Sequence, residues 1–164
     1  MAKKEKITKT TVMRILEQHK CPYQPYAFDF ESGMTAVDMA NLLHRAPESV
    51  FKTLVTTGAT GAHYVFVLPA SASLALKKAA QCVGEKSVEM VHQKDLLSIS
   101  GYIHGGCSPI GMKKSFRTVI DKSAENWETI VFSAGHVGVM VEIPVSRLHD
   151  VLDFEYGDIA DVAD

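Results

Sequence analysis

The residues best suited to chemistry form a glycine-rich run, residues 101–114, that ends in two lysines. Four of its residues are glycines, which let a backbone adopt left-handed angles and let a ligand approach the main chain closely. Amides that are free of sheet or helix pairing can form a nest for an anion or for a developing oxyanion. The run therefore predicts a binding loop built from main-chain groups, although a surface loop with many turns would have the same composition.

A lysine inside an apolar, β-branched run is the second candidate. Lys52 lies in the stretch 50–55, where two-residue alternation puts it on the face of Leu54 and opposite Phe51 and Thr53. A charged amine on a core strand requires an anionic partner, a lowered pKa or a route to water. The alternative is a lysine at the start of a strand that extends its ammonium group into solvent.

Cys107 and two serines are the candidate nucleophiles. The glycine loop could hold Cys107 near amide donors with His104 as its base, but no spacing supplies a third group to orient that base. Ser108 and Ser133 meet the same objection. His104 and Cys107 are also the one close pair of metal-ligating types, whereas a structural zinc site needs four ligands. We expect no metal, and since no phosphate-binding or dinucleotide motif is present, we expect no cofactor.

Helix and strand signals are interspersed around these candidates. Strand patterns cover Tyr23–Phe30, Phe51–Thr57, His63–Leu68, Val88–Val91, Phe116–Ile120, Thr129–Phe132 and Val139–Ile143. Helix signals begin near Thr10, at the capping-box pattern Thr35-x-x-Asp38, at Pro47, at Leu74 before Gly84, at Gln93 before Gly101 and at Pro144. Pro25 would place the first strand at an edge. Because regular βαβ alternation is missing, we expect one α+β domain around a strongly curved, mixed sheet.

Length and composition are those of one folded domain covering residues 1–164. The hydrophobic content of 46% and the charged content of 22% are typical of a globular protein. No apolar stretch approaches the roughly 20 residues that span a bilayer, and no apolar segment follows the basic start, so we expect neither membrane insertion nor secretion. The cysteines Cys21, Cys82 and Cys107 are widely spaced, which favours reduced thiols in the cytoplasm.

The charges are unevenly distributed along the chain. A net charge of −2 argues against a general polyanion binder, yet lysines pair at positions 77–78 and 113–114. Residues 153–164 carry five acidic side chains and no basic one, and we expect them to form an acidic tail. One basic face could hold a nucleic acid, although solvated surface lysines would give the same pattern.

Five motifs that follow one another in a fixed order point to a known family. They are Phe51-Lys52-Thr53-Leu54, Val65-Phe66-Val67-Leu68-Pro69, Leu76-Lys77-Lys78-Ala79-Ala80, Gly105-Gly106-Cys107-Ser108-Pro109-Ile110-Gly111 and Ser133-Ala134-Gly135. Together they resemble the YbaK/EbsC family of free-standing aminoacyl-tRNA deacylases, relatives of the editing insertion domain of bacterial prolyl-tRNA synthetases. The resemblance extends from about the first helix to Ile159.

The resemblance implies a curved, barrel-like mixed sheet flanked by helices, and removal of a wrongly attached amino acid from tRNA in trans. In the best-described branch, cysteine is cleared from tRNA(Pro), and tRNA(Cys) is a further candidate substrate. The implied partners are the acceptor end of aminoacyl-tRNA and a prolyl- or cysteinyl-tRNA synthetase. Members of the family are thought to let the thiol of the substrate cysteine attack its own ester.

The resemblance also implies roles for single residues. Lys52 matches the family's essential lysine, thought to hold the phosphate or ribose of the terminal adenosine, and Gly105 matches a glycine whose backbone contacts the amino acid. We therefore expect Lys52 and Gly105 to be catalytic. The expected substrate-binding residues are Phe28, Thr53, Gly106, Ser108, Pro109, Gly111, Ser133 and Gly135.

Several positions depart from the family pattern. Phe28 stands where the cysteine-specific branch commonly has a tyrosine, so a hydroxyl contact is missing. His136 and Val137 replace a Lys-Arg pair that could meet RNA, and Met140 replaces a smaller or polar residue. Cys107 stands where an aliphatic residue is usual, which weakens its case as a nucleophile. The alternative functions are a non-catalytic module that binds tRNA or a synthetase, and a hydrolase that uses Cys107.

Overall fold

A computed structural model describes residues 8–162, which form five α-helices and ten β-strands. The helices are α1 (Thr11–Gln18), α2 (Ala36–Leu42), α3 (Leu76–Val83), α4 (Gln93–Ser100) and α5 (Leu148–Val151). The strands are β1 (Gln24–Ala27), β2 (Phe51–Gly58), β3 (His63–Pro69), β4 (Ala72–Leu74), β5 (Val88–Met90), β6 (Arg117–Asp121), β7 (Thr129–His136), β8 (Val139–Pro144), β9 (Glu155–Gly157) and β10 (Ala160–Val162). Short 3₁₀ turns lie at Pro47–Ser49, Lys122–Asn126 and Val145–Arg147. None of the helices within residues 8–162 has the length and apolar character that a membrane crossing requires.

Local sequence signals set the ends of four helices. The Thr10 hydroxyl caps the start of α1. Thr35 and Asp38 form the expected capping box at α2, in which each residue's backbone amide donates to the other's side chain at 2.9 and 3.1 Å. Gly84 and Gly101 end α3 and α4 with φ angles of 73° and 89°, which glycine adopts without a steric penalty. These predicted helix ends are confirmed.

The strands divide among three sheets. The largest has the order β5-β2-β3-β6-β9, with antiparallel pairing from β5 to β3 and parallel pairing from β3 to β9. A second, antiparallel sheet has the order β1-β8-β7, with Pro25 on its edge strand as expected, and β10 pairs with β4. The mixed α+β class is confirmed.

The expected barrel-like, strongly curved single sheet is not found. Within residues 8–162 no sheet closes on itself, because each sheet has two edge strands. These are β5 and β9 in the largest sheet and β1 and β7 in the second. One isolated bridge, from Val50 just before β2 to Val131 of β7, links the second sheet to the largest sheet. Alternation reveals strands but does not say which strand pairs with which, and the prediction failed at that step.

As far as Val162, the C-terminal segment is part of the sheets and does not form a free tail. Strand β9 pairs with β6, and β10 pairs with β4. Ile159 between them is fully buried, and its amide donates to Asp121 Oδ1 at 3.1 Å. Strands β4, β9 and β10 have three residues each and lie outside the predicted strands, whereas the equally short β5 lies within the predicted strand Val88–Val91.

Three apolar clusters hold these elements together. The main core joins α1 to both larger sheets through residues such as Leu16, Phe51 and Phe132. The second cluster packs α3 against the opposite face of the largest sheet, around Phe66. The third packs α2 against the start of β2 and the second sheet, around Met39, Val50 and Met140. A cavity lies where the main core and this third cluster meet.

Candidate functional site

A cavity of about 550 Å³ is bounded by β2, α2, α4, the glycine loop, β7 and β8. Most of its lining is apolar, and its ionisable side chains within residues 8–162 are Lys52, His104 and Cys107. Cavities of this size with apolar walls and a few polar groups are typical of small-molecule sites. No group of three or more His, Cys, Asp or Glu side chains in the described part of the chain could hold a metal ion.

Lys52 is the charged group of this cavity. Alternation holds as predicted, since Leu54 packs on the second cluster while Phe51 and Val55 join the main core. The Lys52 ammonium is half-buried and donates to the Ala70 carbonyl at 3.4 Å, and no carboxylate of residues 8–162 lies within 4.0 Å of it. Burial lowers the pKa of Lys52 below the usual 10.5. Such a group attracts an anionic or polar ligand, which would replace the water that burial removes.

The Thr53 hydroxyl, in the lining of the same cavity, is unsatisfied. Its Oγ1 is buried and has no hydrogen-bond partner among the described residues. Buried polar groups in folded proteins nearly always have a partner, so this hydroxyl is free to form a hydrogen bond with a group from outside the protein. Lys52 and Thr53 both line the cavity, so it holds two polar groups that lack strong protein partners.

Gly105 brings main chain to the cavity wall. Its φ is +91°, and a Cβ atom at this position would lie 3.0 Å from the Phe30 ring and 3.3 Å from the Val137 side chain. A larger residue would therefore be strained and would crowd the wall. Gly106 is an expected substrate-binding residue, but its amide already donates to the Ile103 carbonyl at 3.0 Å. The Gly105 amide has no acceptor among the described hydrogen bonds, so it remains the available donor.

The other expected site residues fall into two groups. Those that line the cavity beside Lys52, Thr53 and Gly105 are Phe28 and Ser133. Those outside its lining are Gly106, Ser108, Pro109, Gly111 and Gly135. The Ser108 side chain is fully buried, and its hydroxyl accepts from the Ile110 amide at 3.3 Å within the loop.

Tyr102 explains two of the glycines that lie outside the cavity. Its hydroxyl donates to the Ile110 carbonyl at 2.5 Å, so the glycine loop folds around the ring. A Cβ atom at Gly111 would lie 2.9 Å from the Tyr102 hydroxyl, and one at Gly135 would lie 2.9 Å from the ring edge. Close packing against Tyr102 therefore accounts for these glycines, and the loop is held in place beside the cavity.

Cys107 lies at the cavity but is poorly suited to attack. The residue is 9% exposed, and burial raises the pKa of its thiol to about 11. The thiolate is the nucleophilic form, so at neutral pH nearly all of the group is inactive. His104 is exposed, and the described hydrogen bonds include none between it and Cys107. The arrangement does not favour a cysteine-dependent hydrolase.

Four methionines make up much of the cavity wall, and sequence reasoning missed three of them. The four are Met34, Met39, Met90 and Met140, out of seven in the chain. They come from four different segments with no common spacing, so no sequence pattern groups them. Met140 lies directly opposite Ser133 in the β7–β8 pair. Unbranched thioether side chains give this wall a shape that can adapt to a ligand.

Comparisons of the sequence with known proteins point to one family. The profile of the aminoacyl-tRNA editing domain family matches residues 31–151, a range that contains every residue of the cavity lining except Phe28 and Phe30. EbsC of Enterococcus faecalis, with a proposed Cys-tRNA(Pro)/Cys-tRNA(Cys) deacylase activity, is 42% identical over 160 residues, which are 97% of this chain and 98% of that protein.

Two more distant relatives share part of the sequence or the fold. A proline–tRNA ligase of Pelobacter propionicus is 27% identical over 97 residues, 59% of this chain and 17% of that protein. The crystal structure of a proposed trans-editing enzyme for prolyl-tRNA synthetase superposes with a TM-score of 0.78 at 18% identity, covering 94% of this chain and 99% of the other. From the match over residues 31–151 and the identity to EbsC, we conclude that the chain belongs to the aminoacyl-tRNA editing domain family.

Proposed function

We propose that this protein is a cytoplasmic trans-editing deacylase that removes cysteine from tRNA(Pro), and from tRNA(Cys), through attack by the substrate's own thiol. One observation carries the proposal beyond family membership. The half-buried Lys52 ammonium lies without a carboxylate partner in an apolar cavity whose lining also includes Thr53, with its unsatisfied hydroxyl. Polar groups that lack protein partners in such a cavity are suited to hold a polar ligand, here the aminoacylated end of a tRNA.

Each group of cavity residues contacts a different part of the substrate. Lys52 holds the phosphate or ribose of the terminal adenosine, and the Thr53 hydroxyl bonds to a neighbouring polar atom. The Gly105 amide lies at the wall as a donor for the ester carbonyl oxygen, on which negative charge develops during attack. The apolar wall around Met39 and Met140 contacts the amino-acid side chain.

The reaction forms one bond and breaks one. The thiol sulfur of the substrate bonds to its own ester carbonyl carbon, and the carbon–oxygen bond to the ribose breaks. The ribose oxygen leaves with the proton that the thiol gives up, and the product is a four-membered thiolactone that water then opens to cysteine. A nucleophile within the substrate has a large proximity advantage. The protein therefore needs no nucleophile of its own, in keeping with the buried, protonated Cys107.

A non-catalytic module that binds tRNA or a synthetase is the alternative. Its support is the loss of the Lys-Arg pair at His136 and Val137, because the Val137 side chain packs beside Gly105 and offers no charge to RNA. The groups that would hold a substrate are nevertheless in place, since Lys52, Thr53 and Gly105 all line an open cavity. This combination favours the deacylase.

A deacylation panel tests the proposal. Purified protein is given tRNA(Pro) charged with cysteine, alanine, serine or proline, and release of each amino acid is timed. Cysteine should leave far faster than serine, since a hydroxyl is a much weaker nucleophile than a thiol at neutral pH. S-methylcysteinyl-tRNA is the matched control substrate, because it occupies the cavity but has no free thiol.

The outcomes separate the alternatives. Rapid release of cysteine, with a thiolactone in the quenched reaction and a stable S-methyl substrate, supports the whole proposal. Equal release of cysteine, serine and S-methylcysteine would leave a deacylase but rule out attack by the substrate thiol. Binding of the charged tRNA without any release would favour the non-catalytic module.

A further inference from the structure

We infer that the exposed face of α4, with the adjoining part of the glycine loop, is the surface along which the acceptor stem of the tRNA lies. We call this the α4 surface and define it by Lys94, Leu97, Ser98, His104 and Lys113. The inference rests on the proposed function, because it names where the RNA runs after its 3′ end has entered the cavity.

Helix α4 connects the cavity with this surface. Gln93 and Leu96 line the cavity, whereas Lys94, Leu97 and Ser98 are exposed to solvent. A nucleotide chain whose end is held in the cavity must leave it toward solvent, and Gln93 of α4 is both exposed and part of the cavity lining. The cavity wall and the α4 surface are therefore continuous along a single helix.

The glycine loop adds a second lysine and a histidine to the same surface. The Lys113 ammonium donates to the Ser98 carbonyl at 3.3 Å, and the Lys113 amide donates to the Ser100 carbonyl at 2.9 Å. These bonds hold the Lys113 charge against the C-terminal half of α4. His104 is exposed and lines the cavity, so polar side chains continue from the cavity lining to the helix.

The charges of the α4 surface are available to a ligand. Neither Lys94 nor Lys113 lies within 4.0 Å of a carboxylate of residues 8–162. By contrast, Lys78, Arg117 and Arg147 are paired with Asp158, Glu155 and Asp150. The acidic residues closest in sequence to Lys94 are Glu89 on β5 and Asp95 on α4. Lys114 is not part of the α4 surface, because it lines a separate hollow that includes Asp153.

The chemistry of the α4 surface fits a nucleic-acid backbone. The two ammonium groups have no carboxylate partner, so each can neutralise a phosphate. Leu97, which is 55% exposed, offers an apolar contact for a ribose or a base. With Lys52 in the cavity, the site has three lysines for RNA, so we expect the logarithm of affinity to fall with log salt at a slope of about 2 to 3.

A pair of double variants with the same change in net charge tests the inference. The test variant is Lys94→Gln/Lys113→Gln, and the control is Lys77→Gln/Lys122→Gln, in which both residues are exposed and neither lines the cavity. Lys77 is the second residue of α3 as Lys94 is of α4, so helix-end effects are matched. The probe is an RNA hairpin with a single-stranded 3′ acceptor end, and its affinity is measured between 50 and 200 mM salt.

The test variant should bind the hairpin roughly tenfold more weakly at 50 mM salt, with a log–log slope smaller by about 2, while the control stays close to wild type. Its KM for cysteinyl-tRNA should rise with kcat unchanged, and cleavage of 3′-cysteinyl-adenosine, which lacks the stem, should stay at the wild-type rate. Equal losses in the two double variants, or slower cleavage of cysteinyl-adenosine, would overturn the inference.

Two further outcomes distinguish an RNA-binding surface from a protein-docking surface and from a failed deacylase. Hairpin binding that is unchanged, with a defect only when prolyl-tRNA synthetase is added, would assign the α4 surface to a protein partner and overturn the inference. If wild type cleaves no aminoacyl-tRNA, the proposed deacylase activity fails, and hairpin binding by the same variants still decides whether the α4 surface contacts RNA.

Discussion

The position of Lys52 is not explained by stability. An ammonium group that is half-buried without a carboxylate partner costs free energy, and the lowered pKa of Lys52 has the same cause. Its one hydrogen bond, to the Ala70 carbonyl, is long at 3.4 Å. A residue kept for stability would have a closer partner, so its removal should affect catalysis more than folding.

Lys52→Ala should stay folded with an unchanged or higher Tm and lose at least about tenfold in kcat/KM for cysteinyl-tRNA, or ~1.4 kcal/mol of transition-state binding. Lys52→Met, which keeps the stem of the side chain without its charge, should lose about as much. Lys77→Ala on α3 serves as the surface control. Full activity in either Lys52 variant would remove the residue from the site.

Cys107→Ser should keep most of the activity of the wild type. A thiol whose pKa is raised to about 11 by burial is almost wholly protonated at pH 7.5, so little thiolate is available for attack. The two side chains are also close in size, so the cavity wall should keep its shape. The check is kcat/KM at pH 7.5 beside thermal unfolding, and a variant that is folded but inactive would restore the cysteine-dependent hydrolase.

At the level of elements, α2 is fixed to the second sheet by a polar network. Glu142 of β8 accepts hydrogen bonds from the Tyr26 hydroxyl at 2.5 Å, from the Arg45 guanidinium at 2.7 Å and from the Thr129 hydroxyl at 2.5 Å. Arg45 follows α2 by three residues, and α2 supplies Met39 to the cavity wall. The network therefore holds a cavity wall in place without contacting the cavity.

Glu142→Gln should lower the free energy of unfolding at pH 7 by roughly 1 to 3 kcal/mol, since the Arg45 charge would lose its partner. Burial alone would raise the pKa of Glu142, but hydrogen bonds from Thr129 and Tyr26 and the charge of Arg45 together lower it. A carboxylate with a lowered pKa stabilises the fold above its unfolded value and loses that contribution as pH falls through its folded value.

The stability gap between wild type and Glu142→Gln should therefore be largest at neutral pH and shrink below the usual carboxylate pKa of 4.5. Urea unfolding at several pH values measures it, with the exposed Glu128→Gln as the control. A gap that stays constant down to pH 3 would mean that the ionised carboxylate is not what stabilises the network.

The sequence predicted elements that have a local signal and missed those that depend on the rest of the fold. The β2–β3 hairpin and the four helix ends follow from alternation, capping residues and glycines, which act within a few residues. The pairing of β8 with β1 and the short strands β4, β9 and β10 depend on contacts distant in the chain, and the local pattern did not reveal them.

The candidate site divides in the same way. Lys52 stands out because a charge interrupts an apolar strand, and Gly105 because glycines cluster around it. The methionine wall has no such signal, since an apolar side chain at a cavity has the same appearance in sequence as one in the core. The sequence also could not show that Ser108 and Gly111 lie outside the cavity. Ser108 makes its hydrogen bond within the loop, and Gly111 packs against Tyr102.

For the whole molecule, the acidic C-terminal segment is a structural part of the domain. Ile159 is fully buried in the cluster that packs α3 on the largest sheet, and β9 and β10 extend two different sheets on either side of it. This cluster lies on the opposite face of the largest sheet from the main core, and Ile159 does not line the cavity. Stability and catalysis should therefore separate at this end of the chain.

Ile159→Ala should lower the free energy of unfolding by roughly 2 to 4 kcal/mol, the usual cost of emptying a fully buried aliphatic site. Below the unfolding transition, kcat/KM for cysteinyl-tRNA should stay within about twofold of wild type, because the cavity walls are untouched. The exposed Asp161→Ala is the control, and urea unfolding with parallel kinetics is the measurement. If the segment were a free acidic tail, both Ile159→Ala and Asp161→Ala would keep the stability of the wild type.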